Sequence, residues 1–181
     1  MGVKETLRND IKHVLRGLST EEINRKSHLL ESQLLQYLAT LENNFPLSVV
    51  GLYLPLRGEP RWELERWASF PWQLAYPSPK DEGMHFLLPT RPLPPKGHWV
   101  GEGSECEPDV IVVPGLVFTN EGYRIGRGGG FYDRFLATWK PKAGCVGVCF
   151  EEQLREGFEP EAHDEKMNVI ITDSRVIECK G

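Results

Sequence analysis

The sequence predicts an α/β protein built as one domain, with a mostly parallel sheet covered by helices on both faces in a three-layer α/β/α arrangement. Three observations predict it. Two amphipathic helical stretches open the chain. Short, wholly apolar runs follow, of the kind that a strand covered on both faces requires. A further helical stretch separates two of these runs, and such alternation favours a parallel sheet. The length of 181 residues suits one domain with a sizeable core. No repeat, low-complexity segment or linker divides it, so the expected domain is 1–181.

In the first stretch, Leu7, Ile11, Val14, Leu15 and Leu18 recur at three- and four-residue spacing and form one apolar stripe. Ser19-Thr20-Glu21-Glu22 reads as a capping box: the Ser19 hydroxyl accepts from a first-turn amide while Glu22 reaches back. The second helix turns Ile23, Leu30, Leu34, Leu38 and Leu41 inward, and Asn43, Asn44 and Pro46 close it. Leu47–Leu54 is an apolar run of strand length. Pro60 is expected in the first turn of a short helix carrying Leu64 and Trp67. Gln73–Tyr76 and His85–Leu88 are strand candidates, and the Pro- and Gly-rich stretch from Pro89 to Pro108 reads as a long surface connection. Asp109–Val113 is the clearest buried strand, ended by Pro114-Gly115. Tyr132–Trp139 reads as helix, and Cys145–Phe150 and Val169–Thr172 complete the strands.

Composition bounds the function. Hydrophobic residues at 40% and charged residues at 26% are ordinary for a globular protein. A net charge of −5 gives no basic field for nucleic acid or an anionic membrane, so an anionic ligand needs a local cluster of positive groups. No run approaches the roughly 20 apolar residues of a membrane span, and the charged start has no signal-peptide stretch. Cys106, Cys145, Cys149 and Cys179 form no CxxC pair or zinc spacing, as expected of reduced thiols in a cytoplasmic protein. A monomer is expected.

The most informative segment is Asn120 to Phe135, NEGYRIGRGGGFYDRF. Gly126, Gly128, Gly129 and Gly130 crowd five positions, flanked by Arg124 and Arg127 and followed by Asp133. Glycines allow positive φ and remove Cβ obstruction, so successive amides can converge on one anion. A helix beginning near Phe131 would aim its free N–H groups at the same place. Two guanidiniums add bidentate donors suited to phosphate, and Asp133 is a hard oxygen ligand placed to hold magnesium beside it. The segment is neither a Walker A loop nor the dinucleotide fingerprint: no Gly-Lys-Ser/Thr follows, and Phe131 stands where the third glycine would fall. A surface turn with incidental arginines would share this composition. Lys4 and Arg8 are four apart on one helix face. By themselves they read as a solvated basic edge, and Asp164 alone as a solvated turn.

The stretch from Pro108 to Phe135 closely resembles the signature of the 5-formyltetrahydrofolate cyclo-ligases, also called methenyltetrahydrofolate synthetases. Three further motifs match in order: Lys4-Glu5-Thr6-Leu7-Arg8, Tyr53-Leu54-Pro55 with Glu59 following, and His163-Asp164 ahead of Val169–Thr172. The resemblance implies conversion of 5-formyltetrahydrofolate to 5,10-methenyltetrahydrofolate with ATP going to ADP and phosphate, and with Mg²⁺. It also implies roles. ATP would be bound by Lys4, Arg8, Arg124, Gly126, Arg127, Gly128, Gly129, Gly130, Phe131 and Tyr132, with Arg127 and Lys4 catalytic. The reduced folate would meet Leu54, Glu59, Phe118 and the stretch from Arg127 to Phe131. Asp133 and Asp164 would hold the metal, and His163 is expected to be structural. Partners are thus small molecules, a reduced folate and ATP.

The chain departs from the family at Arg61, where a second acid usually contacts the pterin. A guanidinium has only donors and reverses the local charge. Either Glu59 takes the role or the substrate differs, the alternatives being a relative acting on another compound or a non-catalytic ATP or folate sensor. The later G-I-x-E-P element is blurred to Trp99-Val100-Gly101-Glu102-Gly103. Among Tyr53, Trp62, Trp67, Trp72 and Phe118, one or two are expected to line a slot for flat rings, and most to be core.

Overall fold

The computed structural model describes residues 2–80, 83–91, 101–156, 158–161 and 164–179. Helix α1, Val3–Gly17, buries Ile11 and Leu15, and helix α2 runs over Thr20–Glu42. The capping box forms as the sequence requires: Glu22 N donates to Ser19 Oγ at 3.1 Å and Ser19 N to Glu22 Oε2 at 2.8 Å.

The main sheet has eight strands. In chain order they are β1 (Val49–Gly51), β2 (Gln73–Lys80), β3 (Gly83–Pro89), β4 (Gly103–Cys106), β5 (Val110–Pro114), β8 (Cys145–Val148), β9 (Val169–Ile171) and β10 (Val176–Glu178). A separate two-stranded ribbon pairs β6 (Val117–Phe118) with β7 (Arg124–Ile125). The spatial order is β10-β9-β8-β5-β1-β2-β3-β4. The centre, β9-β8-β5-β1-β2, is parallel throughout, and antiparallel pairs finish both margins. Valines and isoleucines of the central strands alternate between faces. Val50, Val110, Val112, Val146 and Val148 pack beneath Leu30, Leu34 and Leu38 of α2. On the opposite face, Ile111, Val113, Cys145 and Ile170 pack with Leu136 of helix α4 (Phe131–Thr138). The sheet thus lies between helices, as the sequence predicts. Helix α1 docks beside the ribbon, with Ile11 and Leu15 against Leu116, Val117, Ile125 and Phe150.

Several expectations are corrected in detail. The apolar run Leu47–Leu54 yields only the three residues of β1. The backbone then leaves the sheet, although Leu52 and Tyr53 stay buried. Pro60 starts no helix; the short helix α3 is Leu64–Trp67. The reason lies in α2, whose side chains take the intervening amides: Arg61 N donates to Ser27 Oγ at 3.0 Å and Glu63 N to Glu31 Oε1 at 2.8 Å. With these donors satisfied, nothing favours a helical turn there. The connection from Pro89 to Pro108 contains β4, which returns antiparallel to β3. Trp99 and Val100 lie outside the described residues. No helix among the described residues is long and apolar enough to cross a membrane.

Candidate active site

Strand order reverses beside β1. Its partner β2 lies on one side, and β5, followed outward by β8 and β9, lies on the other. Two chains leaving the carboxyl ends of adjacent strands in opposite directions open a crevice. A cavity of about 530 Å³ sits there, walled by Tyr53 and Leu54 beyond β1 and by Pro114 and Gly115 at the end of β5. The glycine loop forms another wall through Gly126, Arg127, Gly129 and Gly130, continued by Phe131, Tyr132 and Asp133. The loop's shape depends on Gly128 at φ +109° and Gly130 at φ +62°, conformations that side-chain-bearing residues avoid. Gly130 caps α4, so the helix's first free amides open beside the cavity.

Charge is held in pairs. Arg127 Nε donates to Glu59 Oε1 at 2.8 Å, and its Nη2 to the Arg57 carbonyl at 3.1 Å. Glu59 is 5% exposed, and its other oxygen accepts from Leu56 N at 2.8 Å. Arg124 Nη2 donates to Asp133 Oδ1 at 2.8 Å, and the guanidinium lies 5.6 Å from the Tyr132 ring centroid. Two polar atoms in this wall are buried with no hydrogen-bond partner among the described residues: Arg124 Nε and the Tyr132 hydroxyl. Burial pushes Tyr132 up from the usual phenol range, helped by Glu59, so it stays a neutral donor.

Helix α1 reaches the same region from the side. Arg8 Nε donates to the Gly126 carbonyl at 3.0 Å, fixing one end of the loop. Lys4 Nζ lies 2.6 Å from Asp164 Oδ2 and 3.1 Å from Glu161 Oε1. Burial pulls the Lys4 pKa down, but hydrogen bonds to Asp164 and Glu161 outweigh it, and the net shift is upward.

Of the residues the sequence singled out, Leu54, Glu59, Arg124, Gly126, Arg127, Gly129, Gly130, Phe131, Tyr132 and Asp133 line the cavity. Arg8 is tied to it through Gly126, whereas Gly128, Lys4 and Asp164 are not among its walls. Phe118 is fully buried in the core beneath the sheet. Arg61 points elsewhere: its Nη1 donates to Asn24 Oδ1 at 2.8 Å on the exposed side of α2. His163 lies outside the described residues. Trp62, Trp67 and Trp72 form an edge-to-face chain in the α2 core, leaving Tyr53 as the one aromatic of that group at the cavity. Sequence reasoning missed the wall made by Pro77, Ser78, Pro79 and Met84. The signal was present as Tyr-Pro-Ser-Pro, because prolines at alternate positions of a strand mark an edge with no neighbour to bond.

Comparison with known proteins finds similarity in both sequence and fold. Residues 89–173 match the model of the 5-formyltetrahydrofolate cyclo-ligase family. The 5-formyltetrahydrofolate cyclo-ligase of Mycolicibacterium smegmatis is 37% identical over 86 residues, which is 48% of this chain and 43% of that protein. This match therefore spans less than half the relative's length. The mouse 5-formyltetrahydrofolate cyclo-ligase aligns over 93% of this chain and 92% of its own, at 28% identity. The Aquifex aeolicus 5,10-methenyltetrahydrofolate synthetase structure superposes with a TM-score of 0.79 at 28% identity, covering 99% of this chain and 94% of that one.

Proposed function

We propose that this chain, a member of the 5-formyltetrahydrofolate cyclo-ligase family, uses ATP to cyclise 5-formyltetrahydrofolate to 5,10-methenyltetrahydrofolate. The observation that carries the reading is the cavity at the strand-order reversal, where the glycine loop, Arg127–Glu59 and Arg124–Asp133 meet.

A formamide oxygen is a poor leaving group. It attacks the γ-phosphorus, the bond to ADP breaks, and the formyl oxygen becomes a phosphate ester. N10 then attacks the formyl carbon, the C–O bond breaks with loss of inorganic phosphate, and the N10 proton is released. Such chemistry requires alignment and charge neutralisation more than a protein nucleophile. The Gly126–Gly130 amides and Arg127 receive the terminal phosphates. Arg8 holds the loop through the Gly126 carbonyl, and Lys4 adds positive charge from α1. Glu59, anchored by Leu56 N and Arg127, presents a carboxylate to the reduced folate, with Leu54 and Tyr53 beside it. Arg61 lies outside this cavity, so it gives no ground for a different substrate.

Among the described residues no cluster of three or more His, Cys, Asp or Glu would hold a metal unaided. Magnesium fits nonetheless, because it commonly binds one or two carboxylates plus waters and substrate phosphates. Asp133 and Asp164 would hold it. Each carboxylate is now paired with a cation, Arg124 or Lys4, so positive charge already stands at both positions. The ion would supply charge neutralisation of the phosphates.

The test is to incubate purified protein with 5-formyltetrahydrofolate, ATP and Mg²⁺ and to follow methenyl-folate absorbance. Product formation with stoichiometric ADP is expected. No product at high enzyme concentration overturns the reading, and ATP binding without turnover would make the chain a sensor instead.

A further inference from the structure

The hairpin wall of the cavity has an unusual hydrogen-bonding face. In β2, Gln73 N donates to the Ser48 carbonyl and Leu52 N to the Ala75 carbonyl, both at 2.8 Å. Residues 73 and 75 therefore aim their backbone groups at β1. Backbone direction alternates along a strand, so Tyr76, Ser78 and Lys80 serve β3, where they stand opposite Leu87, His85 and Gly83. Positions 77 and 79 face the β1 side. However, β1 ends at Gly51, opposite Ala75, and beyond it lies the cavity, which both residues line.

Any other residues at these positions would present alternating N–H and C=O groups to the cavity. Pro77 and Pro79 have no N–H. The exposed edge is therefore a row of acceptors only, two carbonyls about 6.8 Å apart along the strand. A ligand rim carrying N–H groups can satisfy it; a rim carrying acceptors meets lone pairs and leaves the carbonyls it covers unpaired.

We propose that the Pro77–Pro79 edge is a specificity strip that selects the amino-bearing rim of the flat heterocycle entering the cavity. The inference rests on the proposed function, under which two such rims arrive: the 2-amino rim of the reduced pteridine and the 6-amino rim of adenine.

The experiment measures direct binding by calorimetry in wild type and in Pro77→Ala/Pro79→Ala, which restores both amides. The ligands are 5-formyltetrahydrofolate and its 2-deamino analogue, and ATP and its 6-deamino analogue, purine riboside triphosphate. In wild type, loss of the amino group weakens one pair by about tenfold, as one hydrogen bond is worth. In the double variant the carbonyls remain, but the restored N–H groups oppose the amino donor and can serve the ring nitrogens of the deamino ligand, so that ratio shrinks while the other pair is unchanged, and the pair that responds identifies the heterocycle. Hydrogen exchange across β2 and β3 checks that the hairpin persists; if the variant does not fold, the wild-type ratios decide. Ratios of one for both pairs in wild type, or a ratio untouched by the double substitution, overturn the strip while leaving the cyclo-ligase reading in place. Absence of binding by both parent ligands overturns that reading and the strip with it.

Discussion

Arg127 and Asp133 are the side chains on which the proposed chemistry leans most, and each also has a structural partner. Replacing Arg127 with Ala removes the proposed phosphate contact and leaves the buried Glu59 without its ion pair. Loss of one preorganised charge contact typically costs about a hundred- to a thousandfold in turnover. Arg127→Ala and Asp133→Ala are each expected to fall in that range in steady-state assays, with far-ultraviolet circular dichroism unchanged. Arg61→Ala is expected to leave the KM for the reduced folate as it was, because its guanidinium bonds Asn24 away from the cavity. At this scale the sequence was highly legible where a motif concentrated chemistry, as in the glycine loop. It was misleading at Arg61, because adjacent positions in an extended segment point to opposite sides. It also overreached at Phe118, whose closeness in sequence to the loop does not bring it to the cavity.

The elements around the site differ in how plainly their sequences declare them. The α2 cap did so through Ser19 and Glu22. Ser19→Ala is expected to cost about 1 kcal/mol in chemical denaturation. Hydrogen bonds from the Ser19 backbone and hydroxyl hold Glu22 below its usual carboxyl value. Its contribution is therefore present above pH 4.5 and lost as the pH falls through the lowered folded value, so the wild-type–variant gap should narrow in acid. The loop depends on Gly130 in the left-handed region at φ +62°. Gly130→Ala should cost roughly 1–2 kcal/mol there and displace Arg134, raising the KM for ATP. Other elements gave little sign. Strands β6, β7 and β10 have two or three residues, too few for periodicity to register. The run Leu47–Leu54 looked like one strand because its tail is equally apolar. That tail is buried for another reason: it turns from the sheet to wall the cavity.

For the whole molecule, a chain of net charge −5 brings Arg124 and Arg127 to one cavity at the end of a parallel sheet, with Arg8 tied to its glycine loop. The order of strands, β2 to one side of β1 and β5 to the other, creates the crevice that these groups surround. No local pattern specified that order. The apolar runs announced buried strands, whereas which of them lie side by side depends on contacts between residues far apart in the chain. If the crevice is where both substrates meet, ligands should stabilise the entire fold. ATP with Mg²⁺ at about a hundred times its Kd should add about 2.7 kcal/mol, seen as a raised melting temperature that EDTA diminishes. The most direct measurement is a crystal structure of the protein with ATP and Mg²⁺. The terminal phosphates are expected over the Gly126–Gly130 amides within reach of Arg127, with the metal at Asp133. Nucleotide density elsewhere, or an empty loop at saturating ligand, would contradict the assignment of this cavity.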